Sequence, residues 1–470
     1  MGCQTSTVLT EVPEDFDYFC LTFHWLDTIR LIHASPRSIT LVRKTIQANW
    51  EKGIKSIAPG DGVFDFEIRG HPFKDRNLVC CLLNYLLADG WILSLTSDLC
   101  RMIDFSSWFF HFEPDKKLKP GRSAPDVCCV AMAGDDELHI VRANDAVYEA
   151  VMQAISKAYP KGVKSEEDFE NGDWLIKLRG SPWISDDEDG MEARHFMLEM
   201  LRKMQIIKHF YYGKANTNGT ADTLFFIYHP KFDGWIKPAL YFMISLNGTD
   251  KLRLVDYNEK QVKACKQAIL KYRGSEAIQR EGEHLNCYEF KLKGNPWAAE
   301  AQDVVISRLF MTKMLENLHS IGWRVLAAVD MSRRLNDKAA LVFKSVQPEE
   351  CPHFCLAPCD VDKLMVIGAE RPVIDKIREV LQKTYLRGIQ SEIEDFYGCH
   401  QFKLKGMPWF GRQGYDESYA KSFMCWLVKE MHDLHWEPVA SCDVSAKHVR
   451  GENGPDYPLD VHSWLFAKTL

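Results

Sequence analysis

Four stretches of the chain alternate apolar and charged residues with a period of two and then stop on Gly-x-Pro. They are FEIRGHPF (66–73), IKLRGSPW (176–183), FKLKGNPW (290–297) and FKLKGMPW (402–409). Such alternation predicts a half-buried strand, and proline ends it because it cannot extend a hydrogen-bonded ladder. Beyond it the apolar period lengthens to four. Ile306, Phe310, Met314 and Leu318, and again Tyr419, Phe423, Leu427 and Met431, form the single row of an amphipathic helix. Gly90 and Gly322 suit the position just past such a helix. Upstream, DTIRLI, DELHIV, DKLRLV and DKLMVI begin at Asp27, Asp136, Asp250 and Asp362, each closing a predicted hairpin whose turn the carboxylate can cap. A first helix follows at Ser35-Pro36, Asn144, Asn258 and Glu370-Arg371-Pro372, which suit an N-cap or a proline in the first turn.

Two further strands end each copy. The first reads WILSLTSD (91–98), WRVLAAVD (323–330) and WEPVASCD (436–443); in the second copy Ile206 is expected at the Trp place and Gly213 at the Asp place. The glycines Gly70, Gly180, Gly294 and Gly406 keep a spacing close to 110 residues. A unit of that size is too large for a solenoid repeat and long enough to hold its own core. The prediction is an α+β chain of four tandem repeats, each ββαβαββ, a sheet with two helices. The expected divisions are a tail at 1–15 and repeats at 16–113, 126–230, 238–347 and 352–470, with turn-rich joints between them.

Net charge is −7, from 58 basic and 65 acidic residues, which gives no case for a nucleic-acid binder. The most apolar run, VCCLLNYLLADGWILSL, is broken by Asn84, Asp89 and Gly90 before it could span a bilayer. With no Lys or Arg before Arg30 and no apolar h-region, a secretory signal is not expected, and the fifteen cysteines are then expected as reduced cytosolic thiols.

The first six residues, MGCQTS, carry a separate message. Gly2 exposed by methionine removal, with Ser6 at the favoured hydroxyl position, fits N-myristoylation. The hexapeptide resembles the dual-acylation signal of Src-type tyrosine kinases and of some G-protein alpha subunits, which implies myristoyl on Gly2 and palmitoyl on Cys3. One myristoyl chain holds a protein only marginally, so a second signal is needed. No basic cluster supplies it, because Glu11, Glu14, Asp15 and Asp17 follow. Cys3 is then the available helper, and the expected location is the cytoplasmic face of the plasma membrane or Golgi.

Other candidates have plainer readings. The charged face of the Gly-x-Pro strands is basic at Arg69, Lys177, Arg179, Lys291, Lys293, Lys403 and Lys405. It is either a solvated sheet face or a surface for anionic headgroups or an acidic partner. Phe73, Trp183, Trp297 and Trp409 form one column of expected core plugs. Asp98, Asp330 and Asp443 end a strand in three copies and read as turn caps. Cys351, His353, Cys355 and Cys359 lack a CxxC pair, and Cys355 shares a column with Cys20, Cys129 and Met243, so this stretch reads as strand core rather than a metal site. His432 and His435 share a helix face without an evident third ligand. No catalytic signature is present. The sequence therefore points to a lipid-anchored scaffold or adaptor of four repeated modules, more a binding protein than an enzyme, with no cofactor, metal or nucleic acid and with its protein partners open. The alternatives are a membrane-associated enzyme with one active repeat, or a carrier of lipid or small apolar ligands.

Overall fold

A computed structural model describes residues 9–469 apart from 10, 14, 25–26, 61, 74–75, 101–103, 117–125, 170–171, 186, 217–220, 230–238, 333–337, 411–415, 446–447, 450–456 and 459–460. Gly2 and Cys3 lie outside the described residues.

The first unit runs β1 (Tyr18–His24), β2 (Thr28–Ile32), α1 (Pro36–Asn49), β3 (Ile54–Pro59), β4 (Val63–Ile68), α2 (Arg76–Ala88), β5 (Trp91–Ser97) and β6 (Asp104–Phe112). The second runs β7 (Val127–Ala133), β8 (Glu137–Val141), α3 (Asp145–Ala158), β9 (Val163–Phe169), β10 (Asp173–Leu178), α4 (Glu188–Ile206), β11 (His209–Ala215) and β12 (Thr223–Tyr228). The third has β13 (Tyr241–Asn247), β14 (Lys251–Val255), α5 (Glu259–Arg273), β15 (Ile278–His284), β16 (Cys287–Leu292), α6 (Gln302–Ser320), β17 (Trp323–Val329) and β18 (Ala340–Ser345). The fourth has β19 (His353–Cys359), β20 (Lys363–Ile367), α7 (Arg371–Thr384), β21 (Ile389–Phe396), β22 (Cys399–Leu404), α8 (Asp416–Asp433), β23 (Trp436–Cys442), a small pair β24 (His448–Val449) and β25 (Tyr457–Pro458), and β26 (Ser463–Lys468).

Each unit is an antiparallel sheet with two helices, as the sheet and helix pair of the repeat led us to expect, and the sheet has six strands. The strand order is the same in all four, for example β3-β4-β2-β1-β6-β5 and β21-β22-β20-β19-β26-β23. Every unit also holds one strand more than the apolar pattern gave: β3, β9, β15 and β21, each a sheet edge. These strands face solvent along most of their length, so VKSEEDF in β9 has no buried face to impose alternation.

Local chemistry sets the element ends. Ser35 and Asn144 cap α1 and α3 by accepting from Ser38 N and Val147 N, Asn258 and Gln261 form a capping box on α5, and Pro36 and Pro372 occupy first turns. The glycines of Gly-x-Pro take φ of +75° to +85° in all four copies, a left-handed turn that a Cβ would strain. The tryptophan three residues on is fully buried in three units, and its indole N–H donates to the carbonyl of Glu137, Lys251 or Lys363 at 2.9–3.0 Å. Phe73 fills the same place in the first unit.

The central strands β7, β13 and β19 are buried along their whole length, and Cys20, Cys129, Met243 and Cys355 share one fully buried column. A strand buried on both sides needs two apolar layers. One layer is the unit's own helix pair. The other is the second helix of the preceding unit: α2 packs on β7, α4 on β13, α6 on β19 and α8 on β1. Each core cluster therefore spans a joint. The one around α6, for instance, joins Phe242, Ile244 and Phe310 to Cys355, Ile367 and Leu465 of the next sheet. Because α8 returns to β1, the four units close into a ring, with β5, β11, β17 and β23 innermost. The closing joint also takes in Leu9, Val12 and Phe16, from the segment before β1, and Phe16 lies 4.4 Å from Trp426 between ring centroids. The fourteen described cysteines are buried and unbridged.

Removing residues 348–470 would bare the face of the first sheet that α8 covers and the flank of α6 that packs on β19. The expected product is insoluble or opened. A soluble monomer melting like the full chain would contradict ring closure.

Candidate functional site

The positions that could carry chemistry gather at the joints and around the axis. The inner strands carry a bulge at equivalent points, between Leu93 and Leu95, Tyr211 and Gly213, Val325 and Ala327, and Pro438 and Ala440. This alignment corrects the second copy. His209, not Ile206, holds the Trp column, and Asn216, not Gly213, holds the Asp column, because α4 runs on to Ile206 and the inner strand starts only at His209. Thr96, Lys214, Ala328 and Ser441, one from each inner strand, line an axial recess of about 110 Å³.

Just past the recess, hydrogen bonds join each unit to the next. Asn216 N donates to Ser106 Oγ at 2.9 Å between the first and second units. Asp330 N donates to Asp222 Oδ2 at 2.7 Å, and Asp222 N returns a bond to the Asp330 carbonyl at 2.9 Å. Lys338 Nζ meets Asp443 Oδ2 at 2.7 Å across the third joint. His462 Nδ1 accepts from Asp98 N at 3.2 Å, while His462 N donates to the Asp98 carbonyl at 3.1 Å. The repeated aspartates thus lie where units are stitched together. Asp98 and Asp330 also cap their turns, accepting from Cys100 N and Ser332 N at 3.2 and 3.1 Å.

This seam is buried and charged. Lys214 pairs with Asp222 at 2.8 Å, and Lys214, Asp222 and Lys338 are each at most 7% exposed. Burial, with Lys214 and Lys338 adding to it, pushes the His462 imidazole down to about 3. The ring is therefore neutral, as its acceptor role at Nδ1 requires.

A second repeated feature escaped the sequence reading. Arg76, Arg194, Arg308 and Lys421 stand fifteen residues before the inner strand in every unit, and all four are buried. From the second helix each reaches across the joint or along it. Arg76 Nε meets Thr223 Oγ1 at 3.4 Å, Arg194 Nε meets Ser245 Oγ at 2.7 Å, Arg308 Nη2 meets the Ser445 carbonyl at 3.2 Å, and Lys421 Nζ meets Thr22 Oγ1 at 3.1 Å and Glu417 Oε1 at 2.5 Å. The spacing was readable, but helix periodicity alone assigns such a cation to solvent.

The expected basic face lies half-exposed and in register with carboxylates. Lys177 meets Glu137 at 3.0 Å, Lys291 meets Asp250 at 3.8 Å, Lys403 meets Asp362 at 3.7 Å and Lys293 meets Glu276 at 3.3 Å. The carbonyls of Arg69, Arg179, Lys293 and Lys405 accept from Trp50, Tyr159, Arg273 and Tyr385 at the end of the first helix. His432 and His435 line a recess of about 450 Å³ with His111, Glu113 and Glu437. There His432 Nδ1 is 2.9 Å from Tyr18 Oη, and burial pushes its imidazole down to about 4.

The fold and the seam together define a closed ring of four α+β repeats. One domain-family model matches the chain four times, over residues 17–111, 126–227, 240–344 and 352–467, and the chain belongs to that family. Neither a curated protein nor a solved structure matches it.

Neutral buried histidines fix the sign of the acid response. Unfolded imidazoles titrate near 6.5, whereas His462, His432 and His33 take a proton in the fold only near 3–4. The unfolded chain therefore binds more protons below pH 6.5, and stability falls as pH drops from 6.5 towards 4. Each such group costs about 1.4 kcal/mol per pH unit in that window. Denaturation midpoints taken from pH 7.5 to 5 should decline, and less steeply in His462→Asn; an unchanged slope in that variant contradicts this account. Lys338→Met leaves the partly exposed Asp443 without its cation and should cost about 1–3 kcal/mol, read by urea denaturation.

Proposed function

We propose that this protein is a lipid-anchored scaffold of the cytosolic leaflet, with acyl chains on Gly2 and Cys3 holding a rigid four-unit body at the membrane. The observation that carries the reading is the short distance from MGCQTS to the ring. Leu9 stands seven positions after Gly2, and it is buried beside the closing joint. Fully extended, that stretch spans at most about 25 Å, so anchored Gly2 and Cys3 would hold the joint between the fourth and first units near the bilayer. A tether this short orients a body as well as retaining it.

The pairing of Lys177, Lys291, Lys293 and Lys403 with carboxylates lowers the net charge that face offers to anionic headgroups. The acyl chains then carry the attachment. Support for the scaffold half comes from the four solvent-facing sheet edges around the ring, three of them acidic: Glu166, Glu167 and Asp168, then Glu281 and Glu283, then Glu392, Glu394 and Asp395. Repeated edges on one rigid frame give linked sites a high effective concentration for a multivalent partner. The carrier reading finds less support, since the recesses of about 300–450 Å³ are lined largely by His, Glu, Arg, Lys and Thr rather than by apolar side chains.

Gly2→Ala should move the protein wholly to the soluble fraction and Cys3→Ser should move most of it. Charge reversal at Lys291, Lys293, Lys403 and Lys405 should leave the membrane fraction unchanged. A Gly2→Ala form still on membranes would refute the anchor. Proximity labelling tests the scaffold: membrane-side neighbours of the intact protein should be lost from the Gly2→Ala form, and identical neighbours for both would count against it.

A further inference from the structure

Three of the four joints place a polar pair at the same two positions: the residue four before the inner strand, and the first residue of the next unit's first strand. At the joint of the second and third units, Tyr241 Oη donates to Gln205 Oε1 at 2.8 Å. At the closing joint, Tyr18 Oη and His432 Nδ1 are 2.9 Å apart. Each of these pairs shares a proton. The joint of the third and fourth units differs. It sets His319 of α6 against His353 of β19 with ring centroids 5.8 Å apart, the planes crossed at 75°, and no hydrogen bond between them among the described residues.

A thiol stands beside the two imidazoles. Cys351, His319 and His353 are all buried, and their ligand atoms lie within 4.8 Å of one another. His353 Nδ1 is 2.7 Å from the Cys351 carbonyl and so must donate to it, which leaves Nε2 of that ring as the lone-pair nitrogen. Nδ1 of His319 is buried with no hydrogen-bond partner, although the residue is only 7% exposed. A direct bond satisfies the pair at the other two joints; here a lone pair, a second imidazole and a sulfur converge with no shared proton.

We propose that His319, Cys351 and His353 form a binding site for a divalent metal ion of borderline softness, zinc above all, which clamps the third unit to the fourth. Two imidazoles and one thiolate are a zinc donor set. The Nδ1-to-carbonyl bond on His353 is the outer-shell contact that fixes a ligating tautomer. Three protein ligands leave one position of a tetrahedron for water, and a recess of about 300 Å³ lined by His319, Cys351 and Glu349 gives access to it. Metal–ligand bonds of about 2.0–2.3 Å require the three atoms to close in from their present spread, which side-chain rotation can supply. On binding, the Cys351 S–H bond breaks, its proton leaves to solvent, and a sulfur–metal bond forms with no change of oxidation state. The thiol then gives up its contact with the Lys468 carbonyl, now at 2.9 Å. Arg324 is the nearby cation that acts on His319 and Cys351, and Glu437 pairs with it at 2.8 Å.

Sequence reading missed the set because it looked along one strand. Cys355 and Cys359 are core residues of β19, whereas the third ligand comes from a helix of the preceding unit.

The test uses the purified full-length chain, stripped with a chelator and titrated with zinc chloride, then with cobalt(II) chloride. One equivalent should bind, cobalt should show a thiolate-to-metal charge-transfer band, and zinc should raise the melting temperature. Cys351→Ser and His319→Gln should each weaken zinc binding at least tenfold and abolish the rise in melting temperature. His432→Gln, the equivalent change at the next joint, should leave both intact. His319→Gln installs the residue that unit two carries at that place, so it keeps the test open if Cys351→Ser fails to fold. A wild-type chain that binds no zinc at micromolar concentration overturns the site, as does binding that persists unchanged in the His319→Gln chain.

Discussion

Each unit of this chain makes a sheet with two apolar faces but only one layer of helices. That mismatch governs the rest of the structure. Strands as apolar as VCCVAMA, and HFCLAPC beyond its first residue, cannot face water on either side. The missing layer is always the second helix of the unit before, so every core cluster belongs to two units. An open row would leave one sheet face and one helix flank uncovered at its ends. The return of α8 to β1 removes both.

Burial alone does not set how neighbouring units register, since apolar faces slide. The buried polar groups supply direction. Arg194 on Ser245, Lys421 on Thr22 and the chain from Ser106 through Asp222 and Lys338 to His462 each demand a particular partner, because an orphaned charge in a buried joint costs several kcal/mol. The joints are also unequal. Arg30–Asp65 and Arg253–Glu289 pair across the outer faces of the first and third sheets at 2.9 Å, where the second sheet has His139 beside Leu175 and the fourth Met365 beside Gln401. Matched charges at two joints, and a single polar residue facing an apolar one at the other two, distinguish the units from one another and oppose their assembly in the wrong order.

The candidate positions were legible to very different degrees. The Trp column and the Cys20–Cys355 column were readable because a shared column accepting Trp with Phe, or Cys with Met, has one physical meaning, which is core. The aspartates at 98, 330 and 443 read as turn caps, and two of them are, but their backbone groups also bind the neighbouring unit, which no local pattern encodes. Arg76, Arg194, Arg308 and Lys421 kept a constant spacing and were still passed over. Their helices show a clear apolar row on one flank, and only the neighbouring sheet turns the other flank into an interior. The offset in the second unit had a similar cause: the bulge that fixes the inner-strand alignment is a property of paired strands, not of one segment.

The sequence by itself determined the unit: its length, its hairpin, capped helices and Gly-x-Pro stop, and its fourfold recurrence. These follow from backbone propensity and from apolar period, both of which act within a few residues. The tertiary structure decided how the units meet, which charges are buried, and that His319, Cys351 and His353 share one point. Those facts depend on contacts between residues tens to hundreds of positions apart, and the free energy of such contacts comes from removing water between surfaces that no local pattern brings together.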